Sequence, residues 1–170
     1  MKYQVQQKIF TLTDSFDIYD ERQQLVMKVQ GKVFSFSSSQ TMRDAAGKQV
    51  LQIKRKYLTL LPACRLLCAD GSEWLVRKRF WPFWRSRFTV QTPYGEFEVQ
   101  GNFWQYEYQI VQKNAQQDKL LAQVSKAWFS LSDRYGVDIL APEWTAQLLG
   151  IVIVIDRIAH SGRNSQMSDD

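Results

Sequence analysis

Short apolar and β-branched runs recur along the chain, each bounded by residues that favour turns. They cover residues 3–12, 16–19, 25–29, 33–36, 50–53, 64–68 and 74–76, then 88–91, 97–99, 106–111, 120–124, 128–131 and 135–139. Between them stand Asp20-Glu21-Arg22, Gln30-Gly31-Lys32, Ala46-Gly47-Lys48, Ala69-Asp70-Gly71, Pro93-Tyr94-Gly95, residues 114–118 and Asp133-Arg134. Strands spaced every 8–12 residues predict an all-β sandwich or barrel and argue against a βαβ fold. Alternation is clearest in Phe97-Glu98-Val99 and Glu107-Tyr108-Gln109-Ile110, the pattern of a sheet with one buried and one wet face.

The pattern changes once. Ala141-Pro142-Glu143 predicts a helix start, with Pro in the first turn and an acid where the helix dipole favours it. From Leu148 to Ile155 no side chain is polar. A helix that is apolar on every side must be surrounded by protein or by lipid. Eight residues fall well short of the roughly 20 needed to span a bilayer. The pattern therefore predicts a helix over about 142–160 enclosed by the sheet, with a buried strand pair and membrane insertion as rivals. Residues 1–160 are expected to form one domain, and the polar residues 161–170 a flexible tail.

A faint repeat at an offset of 71 residues aligns residues 48–60 with 119–131, pairing Gln52 with Gln123, Ile53 with Val124 and Tyr57 with Trp128. Two related hairpin units would produce it, and so would chance among β-rich segments.

Composition adds a large stock of core-forming side chains: 14% of the 170 residues are aromatic, while 23% are charged. One His and two Cys leave no room for a Cys/His zinc site. On a single strand Cys64 and Cys68 would stand about 13 Å apart, too far for a disulfide. They read as core residues in a reduced, cytoplasmic setting, and the N-terminus has no signal-peptide pattern.

Charge is unevenly placed. Residues 54–87 hold nine basic side chains (Lys54, Arg55, Lys56, Arg65, Arg77, Lys78, Arg79, Arg85 and Arg87) against Asp70 and Glu73. The rest of the chain has thirteen basic and fifteen acidic residues. Among these cations lies Phe80-Trp81-Pro82-Phe83-Trp84. Cations beside amphipathic aromatics suit an anionic membrane surface, with Lys and Arg on phosphates and Trp at the interface. Single-stranded nucleic acid asks for similar parts. The aromatics could equally cap a barrel end above a solvated cationic rim.

Catalytic chemistry has few candidates. His160 falls at the end of the predicted helix, where a cation would suit the dipole. Asp133, Asp138 and Glu143 lack a calcium-loop spacing. Neither a phosphate-cradling glycine loop nor a nucleophile elbow occurs. No catalytic residue, metal site or cofactor is expected.

Several strings, taken in order, resemble the LURP-one-related family. They are residues 16–20 (FDIYD), 31–36 (GKVFSF), 53–56 (IKRK) with 58–62 (LTLLP), 99–104 (VQGNFW) with 107–110 (EYQI), and 124–137 (VSKAWFSLSDRYGV). The resemblance covers about residues 3–160. That family is similar to the tubby C-terminal domain and the phospholipid scramblases. The likeness implies a closed antiparallel barrel of about 12 strands with a hydrophobic C-terminal helix threaded through its centre, which suits a wide lumen that needs filling.

Tubby domains bind phosphoinositide headgroups through clustered Lys and Arg, and the chemistry of Lys54, Lys56, Arg77 and Arg79 fits that role. Scramblases carry an acidic calcium segment before the last helix, whereas residues 132–143 hold only Asp133, Asp138 and Glu143. The scramblases' upstream Pro-rich region and palmitoylated Cys cluster are absent from the sequence. The expectation is a non-enzymatic module binding anionic phospholipid headgroups through Lys54, Lys56, Arg77, Arg79, Arg85 and Arg87, with Trp81 and Trp84 as membrane or partner contacts. The alternatives are a protein-interaction scaffold using the edge from Phe80 to Trp84, or a scramblase. No nucleic acid and no transmembrane span are expected, and the location is cytoplasmic, peripheral to a membrane at most.

Overall fold

The computed structural model describes residues 1–8, 15–31, 39–56, 60–79, 87–126 and 134–160. Twelve strands occur: β1 (Lys2–Lys8), β2 (Ser15–Tyr19), β3 (Leu25–Gly31), β4 (Ser39–Asp44), β5 (Gln49–Lys56) and β6 (Ala63–Cys68). They continue with β7 (Glu73–Arg79), β8 (Arg87–Thr92), β9 (Gly95–Asn102), β10 (Glu107–Gln112), β11 (Lys119–Ser125) and β12 (Arg134–Ile139). Each strand pairs antiparallel with the next, and β1 closes the barrel on β12, with Val5 opposite Tyr135. Closure leaves no sheet edge unpaired.

The last helix, α1 (Thr145–His160), follows a 3₁₀ turn at Pro142–Trp144 and fills the barrel. Leu148, Leu149 and Ile151–Ile155 are at most 1% exposed. They share one core with inward side chains of the strands, among them Phe16, Leu51, Leu66, Trp74, Val90, Val99 and Ile110. An all-apolar helix and a lumen too wide for side chains alone are complementary needs, and each removes the other's cost. The rivals of a buried strand pair and a lipid-embedded helix are thereby excluded. Packing is close: a Cβ added at Gly150 would stand 2.5 Å from Leu51 Cδ2.

Two expectations are corrected. The hydrophobic pattern predicts no strand at Ser39–Asp44, yet β4 forms there, paired with β3 and β5. Its inward residues are Gln40 and Met42, and Gln40 is buried because it accepts a hydrogen bond from Arg157 on α1 at 3.2 Å. A polar residue thus stands where alternation needs an apolar one. Likewise Gln30 and Gly31 belong to β3, opposite Thr41 and Gln40, instead of forming a turn. The runs at 33–36 and 128–131 and the tail 161–170 lie outside the described residues. The repeat-bearing segments fall on β5 and β11, six strands apart on the closed ring, with Ile53 and Val124 both buried.

The barrel's two ends differ. At the near end, where α1 starts, short turns join the strands, and carboxylates organise them. Asp20 Oδ1 accepts from the Arg22 and Gln24 amides, Asp44 Oδ1 from the Lys48 amide, and Asp70 Oδ1 from the Ser72 amide, all at 2.8–2.9 Å. Trp144 closes the lumen there against Trp74 (6.0 Å), Phe97 (5.3 Å) and Tyr94 (5.3 Å). The far end, where α1 finishes, is where β5 and β7 stop and β6 and β8 begin.

Candidate functional site

The segment Gln49–Lys56 alternates inward Leu51 and Ile53 with outward Gln52, Lys54 and Lys56. The segment Glu73–Arg79 does the same, with Trp74 and Val76 inward and Leu75, Arg77 and Arg79 outward. Strand β6 lies between them and sets their relative height: Lys56 is opposite Ala63, which is opposite Arg77. At about 4.8 Å per strand, Lys56 and Arg77 stand roughly 10 Å apart with only a methyl between them. One row below, Lys54 faces Arg65 and then Leu75. One pair above, Arg79 faces Arg87. Four of the six cations predicted from sequence therefore share the outer wall of β5–β7 at the far end. Arg87 opens β8 beside them, while Arg85, Trp81 and Trp84 lie outside the described residues.

These side chains carry uncompensated charge. Among the described residues, none of Lys54, Lys56, Arg77 or Arg79 forms an ion pair, and Lys54, Arg77 and Arg79 are exposed. Several cations elsewhere are paired, although Arg22, Lys28 and Lys48 form no ion pair among the described residues. Lys113 meets Asp118 and Glu98, Lys119 reaches Glu143 at 4.0 Å, the N-terminal amine lies 3.3 Å from Asp138, and Arg65 is 3.2 Å from Glu73. The near-end turns are built on Asp carboxylates with Arg22, Lys48 and Lys113 beside them, and no such Asp-capped turn occurs at the far end among the described residues.

Inside the far mouth the core becomes polar. Arg55 continues the inward phase of β5 opposite Cys64 but is exposed at the rim. Burial pushes the Cys64 thiol up, against the pull of Arg157 and Arg55, and burial also raises Cys68. Both thiols are free, as core residues on one strand face. Asp156 is only 2% exposed, and its charge adds to burial in holding Tyr108 and Tyr135 well above the usual phenol range. Neither phenol oxygen has a hydrogen-bond partner. Tyr135 stacks on Tyr106 at 4.6 Å, and Lys126 Nζ lies over Tyr106 at 5.4 Å.

No cluster of metal-ligating side chains occurs among the described residues. Asp138 and Glu143, weighed as cation ligands, are instead engaged by the N-terminal amine and Lys119, and Asp133 lies outside the described residues. His160 is the last helical residue.

The polarity pattern does not single out two far-end residues. Leu60 is fully exposed, and Trp104 is 59% exposed on the 3₁₀ turn Phe103–Gln105. Both fall in strings that carry the family resemblance (58–62 and 99–104), and nothing in a string tells an outward side chain from an inward one.

A barrel of twelve sequential strands sheathing one greasy helix is an unusual combination, and it agrees with the family match, which extends over residues 1–156 to the LURP-one-related family. The chain belongs to that family. It is similar to uncharacterized protein YxjI of Bacillus subtilis (strain 168), with 28% identity over 163 residues, covering 96% of each chain. The X-ray structure of an Arabidopsis thaliana protein superimposes with a TM-score of 0.62 at 14% identity, covering 92% of each chain, which is a likeness of fold. No helix among the described residues is long and apolar enough to cross a membrane.

Proposed function

We propose that this LURP-one-related protein is a non-enzymatic module that docks on anionic phospholipid headgroups at a membrane surface, through the far-end wall of β5–β7. The observation that carries this reading is the row of Lys54, Lys56, Arg77 and Arg79 on one face, with no ion pair to offset their charge. A basic side chain near an anionic leaflet contributes about 1 kcal/mol. Four acting together supply about 4 kcal/mol, or roughly a thousandfold preference over a neutral surface. Attraction of this kind is screened by salt. Arg85 and Arg87 carry the same chemistry in the adjoining sequence, and Trp81 and Trp84 are suited to the interface beside them.

Co-sedimentation with phosphatidylcholine vesicles, with and without phosphatidylserine, tests the proposal. Binding is expected only with phosphatidylserine, should weaken in high salt, and should fall in a Lys56→Gln/Arg77→Gln variant. Equal and negligible binding to both vesicles removes the lipid reading. Capture of a protein partner that survives Lys56→Gln/Arg77→Gln would favour a scaffold in its place.

A further inference from the structure

The near end is sealed on one side more than the other. Trp74, Tyr94, Phe97 and Trp144 pack together beside β7–β9. On the opposite side the start of β1, the β2–β3 turn and the start of β3 enclose a hollow of about 440 Å³. Every strand connection at this end is among the described residues.

A β-bulge makes the hollow apolar. Ile18 pairs with Met27 and Tyr19 with Leu25, so Val26 is an extra residue in β3. Successive side chains of a regular strand point to opposite faces, but with the bulge Val26 and Met27 both line the hollow. Met1 and Tyr3 complete the apolar lining, with the Tyr3 hydroxyl donating to Met1 Sδ at 3.7 Å. The bulge of β11 makes a contrast. Its extra residue, Leu121, is fully buried, and its carbonyl accepts from the Leu140 and Ala141 amides where the chain turns towards α1. Val26 is only half-buried and opens on the hollow.

The rim is preformed. Asp20 Oδ1 accepts from the Arg22 and Gln24 amides at 2.9 Å, and Glu21 Oε1 accepts from the Lys2 amide at 2.8 Å, which ties the turn to β1. Each of these carboxylates therefore has an oxygen committed to the backbone. The Arg22 side chain also lines the hollow, yet among the described residues its guanidinium forms no ion pair and no hydrogen bond. Lys2 and Arg22 balance Asp20 and Glu21 in formal charge, so the rim does not repel an anion. A planar fork of N–H donors matches a carboxylate in two parallel hydrogen bonds. An apolar hollow of ligand-pocket size with one such fork at its edge calls for an apolar body carrying one carboxylate.

We infer that the near-end hollow binds a small amphipathic carboxylate, its hydrocarbon body against Met1, Tyr3, Val26 and Met27 and its carboxylate on Arg22. The site lies at the opposite end from the cationic wall and stands independently of membrane docking.

The test uses the full chain with octanoate below its micelle-forming concentration, and with acetate and octylamine as controls. Binding is read from the Met27 methyl signal in NMR spectra and from the melting temperature. Octanoate should shift that signal and raise the melting temperature, and neither control should do so at the same concentration. Arg22→Gln, which keeps the backbone bonds of the turn, should weaken octanoate binding roughly tenfold. Lys56→Gln/Arg77→Gln should bind octanoate as the wild type does. Melting of each variant without octanoate reports its fold. An unmoved Met27 signal, equal binding of octylamine, or undiminished binding in folded Arg22→Gln would each overturn the inference. Loss of binding in Lys56→Gln/Arg77→Gln would put the carboxylate on the far-end wall and overturn it too.

Discussion

The two ends of the barrel are made from the same twelve strands but solve different problems. At the near end every described connection is short, Asp carboxylates hold the turns, and Trp74, Phe97 and Trp144 close the lumen over the start of the helix. At the far end the lumen becomes polar around Gln40, Asp156 and Arg157, the wall carries cations that form no ion pair among the described residues, and Leu60 and Trp104 are exposed. The contrast separates the end that seals the core from the end proposed for recognition. Apolar burial follows the helix from the near-end plug to Phe88, Phe103 and Tyr108 at the far end, and only the far end adds buried polar groups beneath an exposed cationic wall.

The sharpest test of that division strikes the helix that both ends share. Val152→Asp would place an unpaired carboxylate at a fully buried position, costing several kcal/mol against a typical total of about 5–15 kcal/mol. Loss of a cooperative melt, or failure to accumulate folded protein, is the expected result, and an unchanged melting curve would mean that the helix is not enclosed. Next comes the near-end plug. Trp74→Ala should cost about 3–5 kcal/mol in denaturant unfolding, as for other large core truncations. Vesicle binding by the surviving folded fraction should stay intact.

Smaller effects sharpen the comparison at the far mouth. Tyr108 and Tyr135 keep their protons in the folded state above the ordinary phenol value of 10.0, because burial and then the charge of Asp156 disfavour the phenolate. In the unfolded chain they ionise near that value. Their contribution to stability is therefore complete below about pH 10 and is lost as pH rises further. A Tyr108→Phe/Tyr135→Phe variant should lose less stability on alkaline titration than wild type. At neutral pH it should be neutral or slightly stabilised, within about 1 kcal/mol, because neither hydroxyl has a partner. The smallest effect on stability belongs to Lys56→Gln/Arg77→Gln, which should unfold within about 0.5 kcal/mol of wild type. A larger loss would show that the cationic wall supports the fold.

Much of this architecture is legible in the residues. Alternation in Phe97-Glu98-Val99 and the all-apolar Leu148–Ile155 locate strands and a helix that has to be surrounded. Where the reading fails, at β4, a contact 117 residues away matters: the buried Gln40 accepts a hydrogen bond from Arg157 on α1. The cations of β5 and β7 stand out by composition, but their alignment depends on β6 holding Lys56 and Arg77 level through Ala63. Leu60 and Trp104 escape notice because hydrophobicity says what a side chain prefers and not which way its turn presents it.

The chain's own order of residues determined that many short strands would form and that a greasy C-terminal helix would need a sheath, since periodicity and apolar run length are local properties. Tertiary structure alone decided which end would be plugged, which cations would share a face and which apolar side chains would stay in water. Those depend on strand register and ring closure, which bring together residues far apart in the chain.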